Sequence, residues 1–436
     1  MDYFFDMLLR KRTLREYGIF LFLTGIFFLP SSLFIGILFL LPSGVIGSFL
    51  QDKPFFKDIW NYPFIIFGIL IFISSLFHNF VLVNNYGEIW DPILSIVGMG
   101  NWIPFIWFFW ALQPFINSQD TRKLFAIFLI AGSLPVLVTG FGQYFFNWHG
   151  PFETLNGLII WYQRPIEFPG GLSGLFNNQN YAGSWLNFIW PFCLALFLET
   201  KGNNIKKVFT FGFLISIGFA AFLTFSRNAW IGLITSLTIL LEKRSKKFIF
   251  FSSITFFLLL IILNEEMQNL LKIFIPDKIL LEFTDEGYIG LNVTRSEIFN
   301  SAINLIKEQF IFGTGAASFS EIFKLETGFW KGHSHNLLLE LGVSYGLPAA
   351  LIFFITITYI VVSSFKNIFL IGGNYSSSIV DKAFWASLFF FLLSQLADIQ
   401  YFDGKISLVA WILIAGLKNI INVSNKNNKF KNVFRH

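Results

Sequence analysis

Apolar stretches long enough for membrane helices recur along almost the whole chain, with short polar segments between them. A helix that crosses the hydrocarbon core needs about 20 mostly apolar residues. Only 13% of the residues are charged, against about 25% in soluble domains. The pattern predicts one all-α polytopic membrane domain, residues 1–436, with about 12 transmembrane helices. The predicted apolar stretches are 17–29, 32–50, 60–78, 98–116, 124–146, 181–198, 208–224, 228–241, 247–263, 335–363, 383–400 and 406–421.

Basic residues favour one orientation of these helices. Cytoplasmic loops of membrane proteins carry an excess of Lys and Arg, and most of the 31 Lys and Arg residues fall inside if the helices alternate from a cytoplasmic N-terminus. Both termini are therefore predicted to be cytoplasmic. This topology gives an outer loop at 147–180, a long outer loop subdomain at 264–334 and a basic cytoplasmic tail at 423–436. The net charge of +5 does not indicate nucleic-acid binding, because the basic residues are distributed as the membrane topology requires. Cys193 is the single cysteine, so an intrachain disulfide is excluded.

Arg227 stands in a short polar break, residues 224–230, between two apolar stretches. Basic clusters on either side enclose only residues 208–242. Two helical crossings of the bilayer core need about 40 residues, which is more than this segment has. The chain is therefore expected to turn back within the membrane and to leave Arg227 recessed. A membrane-buried arginine costs roughly 2.5–3.5 kcal/mol, which makes a functional role the first hypothesis. The alternative is a snorkelling or structurally paired arginine.

The long outer loop contains a predicted amphipathic helix over residues 295–309. Thr294 and Glu297 have the spacing of a capping box, and apolar residues follow at helical spacing. Arg295 falls in the first turn, where a cation opposes the helix dipole. This placement indicates an anionic group nearby, while a solvated surface arginine explains it as well on local evidence.

Two of the five histidines, His333 and His335, stand with Asn336 where the long loop enters the membrane. A neutral imidazole there accepts a proton near neutral pH. We prefer His335 as the base because Asn336 is beside it, although the sequence leaves open which ring faces the site. The i, i+2 spacing keeps both rings off one helix face, and no cluster of Cys, His or carboxylate completes a ligand set, so no metal is expected. The preceding turn at Gly313 and Gly315 offers backbone N–H groups to a ligand, a weak signal because such turns are common.

Amides and glycines cluster at the end of the first outer loop, at 170–183. Asn177 and Asn180 are candidates to hydrogen-bond a sugar or a phosphate, and Arg164 just upstream would add a cation. Asparagine is also a good N-cap, so these residues equally suit the start of the next helix.

Four blocks of the chain, in this order, resemble the O-antigen ligase and polymerase superfamily of bacterial envelope enzymes. The blocks are 174–180, 226–230, Arg295 through Gly315, and His335-Asn336 with Gly342 and Gly346 behind. The resemblance covers residues 170–350, and the helical frame extends it over the chain. Asn228 departs from the small residue that usually follows the Ser-Arg pair.

The resemblance implies a membrane glycosyltransferase that moves a glycan from a polyprenyl-pyrophosphate carrier to an acceptor hydroxyl, at the periplasmic face of the bacterial inner membrane. Arg227 and Arg295 would neutralise the leaving pyrophosphate, and His335 would take the acceptor proton, with inversion at the anomeric carbon. No metal, nucleotide or other cofactor is implied. The expected partners are the lipid-linked donor, a glycolipid or glycan acceptor and the bilayer. The residues expected to bind substrate are Arg164, Asn177, Asn180, His333, Asn336, Gly313 and Gly315.

Several activities stay open at this point. A ligase attaches glycan to lipid A-core or another surface acceptor, whereas a polymerase attaches it to another lipid-linked repeat unit; we lean to the ligase. A transporter of a small anion such as bicarbonate is opposed by the long outer loop and by the lack of an inverted repeat. A structural scaffold would leave Arg227 and His335 as packing residues.

Overall fold

The structure is a computed structural model that describes residues 13–80, 90–167, 170–200, 202, 204–241, 293–370 and 378–433, with side chains as far as Val423. The predicted apolar stretch 247–263 and the predicted outer loop up to residue 292 lie outside the described residues. The described chain is mostly helical with little strand, which confirms the all-α prediction.

The helices follow one another with short connections, and each predicted apolar stretch in the described chain coincides with one helix or with a consecutive pair. The elements are α1 (Leu14–Phe28), α2 (Leu33–Phe49), α3 (Tyr62–Phe80), α4 (Ile93–Gly98), α5 (Ile103–Ala111), α6 (Gln119–Gly132), α7 (Leu134–Phe146), β1 (Phe152–Thr154), β2 (Ile159–Trp161), α8 (Gln179–Glu199), α9 (Asn204–Leu223), α10 (Arg227–Leu240), α11 (Arg295–Glu308), α12 (Ser318–Thr327), α13 (Leu337–Tyr345), α14 (Leu347–Phe365), α15 (Ile379–Ser394) and α16 (Gly404–Val433).

Seven helical segments of the described chain are long and apolar enough to cross a membrane. The multi-pass prediction is therefore confirmed, whereas the count of about 12 spans is not. Several predicted stretches are divided in the structure, such as 335–363, which forms α13 and α14. The seven segments are Ile59–Phe80, Ile93–Ala111, Gln119–Phe146, Gln179–Glu199, Asn204–Leu223, Leu347–Leu370 and Gly404–Val423.

Side-chain caps explain why several helices begin where they do. Thr294 closes the predicted capping box with Glu297 at the start of α11, which confirms that prediction. The Oδ1 atoms of Asn178 and Asn336 each accept hydrogen bonds from two backbone N–H groups in the first turns of α8 and α13. Because Asn178 caps α8, the side chain of Asn180 is available for another contact.

The bundle is built around α8 and α16, which are buried along most of their length. Trp185 and Trp411 on these helices are almost inaccessible to solvent. Where α6 meets α15, Arg122 and Asp381 form a fully buried ion pair with N–O distances of 2.6 and 3.2 Å. Because loss of one partner would leave a buried charge unpaired, this pair ties the first half of the chain to the last helices.

The described part of the predicted long outer loop, residues 293–334, packs onto the bundle. Ile298 and Leu305 of α11 meet Phe319 of α12 and Val343 of α13 in a small separate core. The predicted amphipathic helix is thereby confirmed, because its apolar face is the buried one. This packing brings the first turn of α11 beside the loop between α15 and α16, as described below.

Candidate active site

His335 and Asp398 form the centre of the candidate site. The Nδ1 atom of His335 lies 2.8 Å from Oδ1 of Asp398, which lies in the loop 395–403 between α15 and α16. His335 has a φ of 55°, a left-handed conformation that costs a non-glycine residue roughly 1–3 kcal/mol and that is enriched at functional sites. Because Nδ1 faces a carboxylate, it carries the hydrogen, and Nε2 keeps the lone pair that can accept a proton.

The carboxylate of Asp398 is held from its other side by two amides. Its Oδ2 atom accepts hydrogen bonds from Asn180 Nδ2 at 2.9 Å and from Gln400 Nε2 at 3.0 Å. Burial alone would raise the pKa of Asp398, but the hydrogen bond from His335 and the positive groups around it keep this pKa below its ordinary value. Asp398 is therefore ionised at neutral pH, and its orientation towards His335 is fixed.

His333 packs edge-on against His335, with ring centroids 4.6 Å apart. Its Nδ1 atom accepts a hydrogen bond from the backbone N–H of His335 at 3.1 Å. Burial, followed by the neighbouring positive charges, lowers the pKa of His333 to about 4. The ring is therefore neutral at pH 7, and its hydrogen is on Nε2. This arrangement suits His333 to donate a hydrogen bond and His335 to accept a proton.

Asn336 fastens the segment that carries the histidines to the loop that carries Asp398. While its Oδ1 caps α13, its Nδ2 donates to the carbonyl of Leu396 at 3.0 Å. A second link runs from the backbone N–H of Leu337 to the carbonyl of Gln395 at 2.8 Å. Both polar ends of the Asn336 side chain are thus engaged by the protein, and its predicted contact with substrate stays a prediction.

Arg295 joins the site from α11. Its Nη1 atom donates to the carbonyl of Ala397, the residue before Asp398. Arg295 is exposed to solvent, so this contact leaves part of the guanidinium open to a ligand. Its positive charge contributes to lowering the pKa values of both Asp398 and His333.

Arg227 is the first residue of α10 and lies at the same end of the bundle. A Cβ atom added to Gly183 of α8 would lie 3.2 Å from Cβ of Ser226, so α10 begins in close contact with α8. Asn180, the partner of Asp398, is one turn before Gly183 on the same face of α8. The start of α10 and the Asp398 site are therefore neighbours along one helix face. Arg227 is partly buried there.

Two other residues predicted to bind substrate, Asn177 and Arg164, make no hydrogen bond with the histidines in the described chain. Asn177 lines a separate cavity of 240 Å³ beside the β1–β2 hairpin. The side chain of Arg164 is exposed, and its carbonyl accepts a hydrogen bond from Gln143 at 2.7 Å. Substrate contacts by Asn177 and Arg164 stay predictions.

The turn at Gly313 and Gly315 is packed against the protein itself. A Cβ atom on Gly313 would lie 2.3 Å from the carbonyl oxygen of Val343, and one on Gly315 would lie 2.1 Å from the ring of Trp90. Both glycines also have positive φ angles, 71° and 112°. Close packing thus explains why glycine is required at both positions. The predicted role of this turn in binding a ligand stays a prediction.

His333, His335 and Asp398 each offer one nitrogen or oxygen atom that could bind a metal, and these three atoms lie within 4.8 Å of one another. The sequence did not predict a carboxylate beside the histidines, and tertiary packing supplies Asp398 there. The expectation that no metal binds stays a prediction. The donor set is suited to a divalent cation. However, Nδ1 of His335 is already bonded to Asp398, and Nδ1 of His333 to a backbone N–H. A metal on those atoms would have to displace both hydrogen bonds.

Asp398 is the residue of this cluster that was not predicted from the sequence. The predicted stretch 383–400 placed it inside a membrane helix, whereas α15 ends at Ser394. A signal was present, since a carboxylate within an apolar stretch is expensive and marks a functional candidate in its own right. Gln395 and Gln400 beside it are further polar residues in the same stretch.

Comparison with known proteins agrees with these motifs. Residues 211–354 match a protein-family model described as O-Antigen ligase. The matched region contains Arg227, Arg295, His333 and His335, whereas Asp398 lies beyond it. No curated protein matches the chain. The family match over residues 211–354 supports the resemblance of the motifs to the O-antigen ligase superfamily.

Proposed function

We propose that this protein is a membrane glycosyltransferase of the O-antigen ligase type. It transfers a glycan from polyprenyl pyrophosphate to an acceptor hydroxyl at the periplasmic face of the bacterial inner membrane. The acceptor in this proposal is lipid A-core or another surface glycolipid. The observation that carries the proposal is the His335–Asp398 pair, with Arg295 bonded to the residue before Asp398.

The histidine pair is arranged for general-base chemistry. Asp398 holds the hydrogen of His335 on Nδ1, which leaves Nε2 to receive the proton of the acceptor hydroxyl. As that proton moves to Nε2, the acceptor oxygen bonds to the anomeric carbon of the donor glycan. The bond from this carbon to the pyrophosphate oxygen breaks, and the polyprenyl pyrophosphate leaves with the electron pair. A single displacement of this kind inverts the anomeric carbon.

The two arginines supply the positive charge that the leaving pyrophosphate needs. Guanidinium groups bind phosphate oxygens through two parallel hydrogen bonds and keep their charge at any working pH. Charge that grows on the leaving group is stabilised best by donors already in place. Arg295 is held at the loop of Asp398, and Arg227 begins a helix packed on the face of α8 that carries Asn180.

Deletion of the gene in its host tests the reaction class. Loss of a ligase leaves long glycan on its lipid carrier, without attachment to the surface glycolipid, whereas loss of a polymerase leaves single repeat units. We expect the first result on a gel of envelope polysaccharide. The plasmid-borne wild type should restore attachment, and His335→Ala and Arg295→Ala should not, at equal amounts in the membrane. Full complementation by both variants would contradict the proposed roles.

The proposal includes no metal. Purified protein in vesicles, with extracted donor and acceptor, should transfer glycan at an unchanged rate after treatment with EDTA. A loss of activity that added divalent cation restores would instead favour a cation at His333, His335 and Asp398.

A further inference from the structure

A cavity of 270 Å³, distinct from the one beside the β1–β2 hairpin, is lined in part by His333 and has no role in the chemistry proposed above. His333 lines it, whereas His335, Asp398, Arg227 and Arg295 do not. His333 therefore also borders a space whose lining includes neither arginine. A volume near the lower limit of about 300 Å³ for ligand pockets suits one sugar ring better than a whole glycan repeat.

Polar groups without partners point to a polar ligand in this cavity. Asn101 and Ser344 both line it. Within the part of the chain that the structure describes, neither side chain makes a hydrogen bond, although Ser344 is only 5% exposed. His333 is a third polar residue of the lining, and its Nε2–H group is the donor that remains, because Nδ1 of that ring is occupied. The walls include the aromatic side chains of Trp102 and Phe402. A few polar groups among aromatic rings are typical of a small-molecule site.

The lining of the cavity also contains two exposed apolar residues. Leu94 and Val97 of α4 belong to it and are 38% and 65% exposed. They lie at the start of Ile93–Ala111, one of the segments able to cross a membrane. Exposed apolar side chains on such a segment face lipid, so this side of the cavity borders the bilayer. A glycolipid can place its sugar in the cavity and leave its acyl chains along α4.

From these contacts we infer that the cavity is the acceptor subsite, which receives the terminal sugar of a membrane-anchored glycolipid along α4. The inference rests on the proposed glycan transfer and adds the place where the acceptor binds. His333, Asn101 and Ser344 hold the sugar by hydrogen bonds while one of its hydroxyl groups lies at His335. The donor pyrophosphate then lies on the other side of His335, at the arginines. A water-soluble acceptor would have no use for the apolar side of the cavity.

Protection of an installed cysteine tests binding without requiring turnover. Val97→Cys adds an exposed thiol, and the native Cys193 is buried and contributes little background. The probe is acceptor glycolipid extracted from the deletion strain, incorporated in the vesicles with the protein. This extract should slow maleimide labelling of Val97→Cys and should not affect Val45→Cys, a control on α2 with 50% exposure in the unmodified chain. Equal labelling rates with and without extract at Val97→Cys would contradict the inference.

Kinetics provide the second measurement. Asn101→Ala and Ser344→Ala should each raise the half-saturating acceptor concentration about 3- to 10-fold, the effect of one neutral hydrogen bond. Half-saturation by the donor and the rate at saturation should stay unchanged. Asn422→Ala, in a different cavity near the other end of α16, is the matched control and should behave as wild type.

The outcomes separate the two proposals. If wild-type vesicles transfer no glycan, the proposed function fails and the subsite fails with it. If transfer proceeds, but acceptor saturation is unchanged in Asn101→Ala and Ser344→Ala and Val97→Cys is not protected, only the acceptor subsite is overturned. A rise in donor half-saturation in these two variants would also overturn it.

Discussion

Replacement of Asp398 by asparagine exchanges one carboxylate oxygen for an NH₂ group, and it tests the proposed role of the Asp398–His335 pair directly. In the wild type, Oδ1 accepts from His335 at 2.8 Å, and Oδ2 accepts from the amides of Asn180 and Gln400 at 2.9 and 3.0 Å. An asparagine has one oxygen and one NH₂ group for these two positions. If its NH₂ group faced Asn180 and Gln400, three donors would meet with no acceptor. The asparagine oxygen will therefore turn to those amides, and its NH₂ group will face His335.

This orientation determines the tautomer of His335. Nδ1 must then accept a hydrogen bond, so the hydrogen moves to Nε2, the atom that is proposed to take the acceptor proton. General-base catalysis contributes about 10²–10⁴ in rate, and the same substitution in a serine protease triad costs about 10⁴ through the wrong tautomer. We therefore expect Asp398→Asn to lower the rate of transfer by about 10²–10⁴, which corresponds to about 3–5 kcal/mol at 1.36 kcal/mol per factor of ten.

The assay is glycan transfer in vesicles with donor and acceptor both saturating. Half-saturation by the donor should change little, because the arginines remain in place. Asp91→Asn is the matched control, since this exposed aspartate accepts a hydrogen bond from the backbone N–H of Ile93, and asparagine accepts the same bond. If Asp398→Asn keeps more than a tenth of the wild-type rate, while its unfolding temperature is unchanged, the tautomer argument is refuted.

Three further predictions concern phosphate binding, pH and stability. Arg227→Lys keeps the charge but loses the planar fork, and should lower the transfer rate about tenfold or more; an unchanged rate would argue against bidentate phosphate binding. The pKa of His333 is lowered to about 4 in the folded protein, from 6.5 in the unfolded chain. As the pH drops from 6.5 towards 4, this histidine therefore takes up a proton in the unfolded chain before it does so in the folded protein. The free energy of unfolding should fall over this range, by roughly 3 kcal/mol at most. Thermal unfolding of His333→Gln should lack this dependence. Asp381→Asn leaves Arg122 buried without its anion and should destabilise the protein by about 3–5 kcal/mol in thermal unfolding, whether or not substrate is present.

Local sequence patterns predicted the parts of the structure that depend on neighbouring residues. The capping box at Thr294 and the buried face of α11 follow from contacts three or four residues apart, so they can be read without knowledge of the fold. The apolar stretches likewise predicted a multi-pass helical protein, because each helix satisfies its own backbone hydrogen bonds in lipid. The predicted helix boundaries agreed less well with the structure. For example, α15 ends at Ser394, whereas the predicted stretch continues to residue 400.

The sequence alone thus singled out Arg227 and His335, whose side chains are conspicuous beside apolar stretches, and Arg295, whose charge opposes the dipole of its helix. The catalytic roles of these three residues were expected from the family resemblance. Only the tertiary structure joined His335 to Asp398, 63 residues away, and Asp398 to Asn180, 218 residues away. Such contacts depend on which helix faces meet in the bundle, and helical periodicity within one segment carries no information about its partner. For the same reason, the cavity beside His333, lined by residues from 94 to 402, became visible only after the helices had packed.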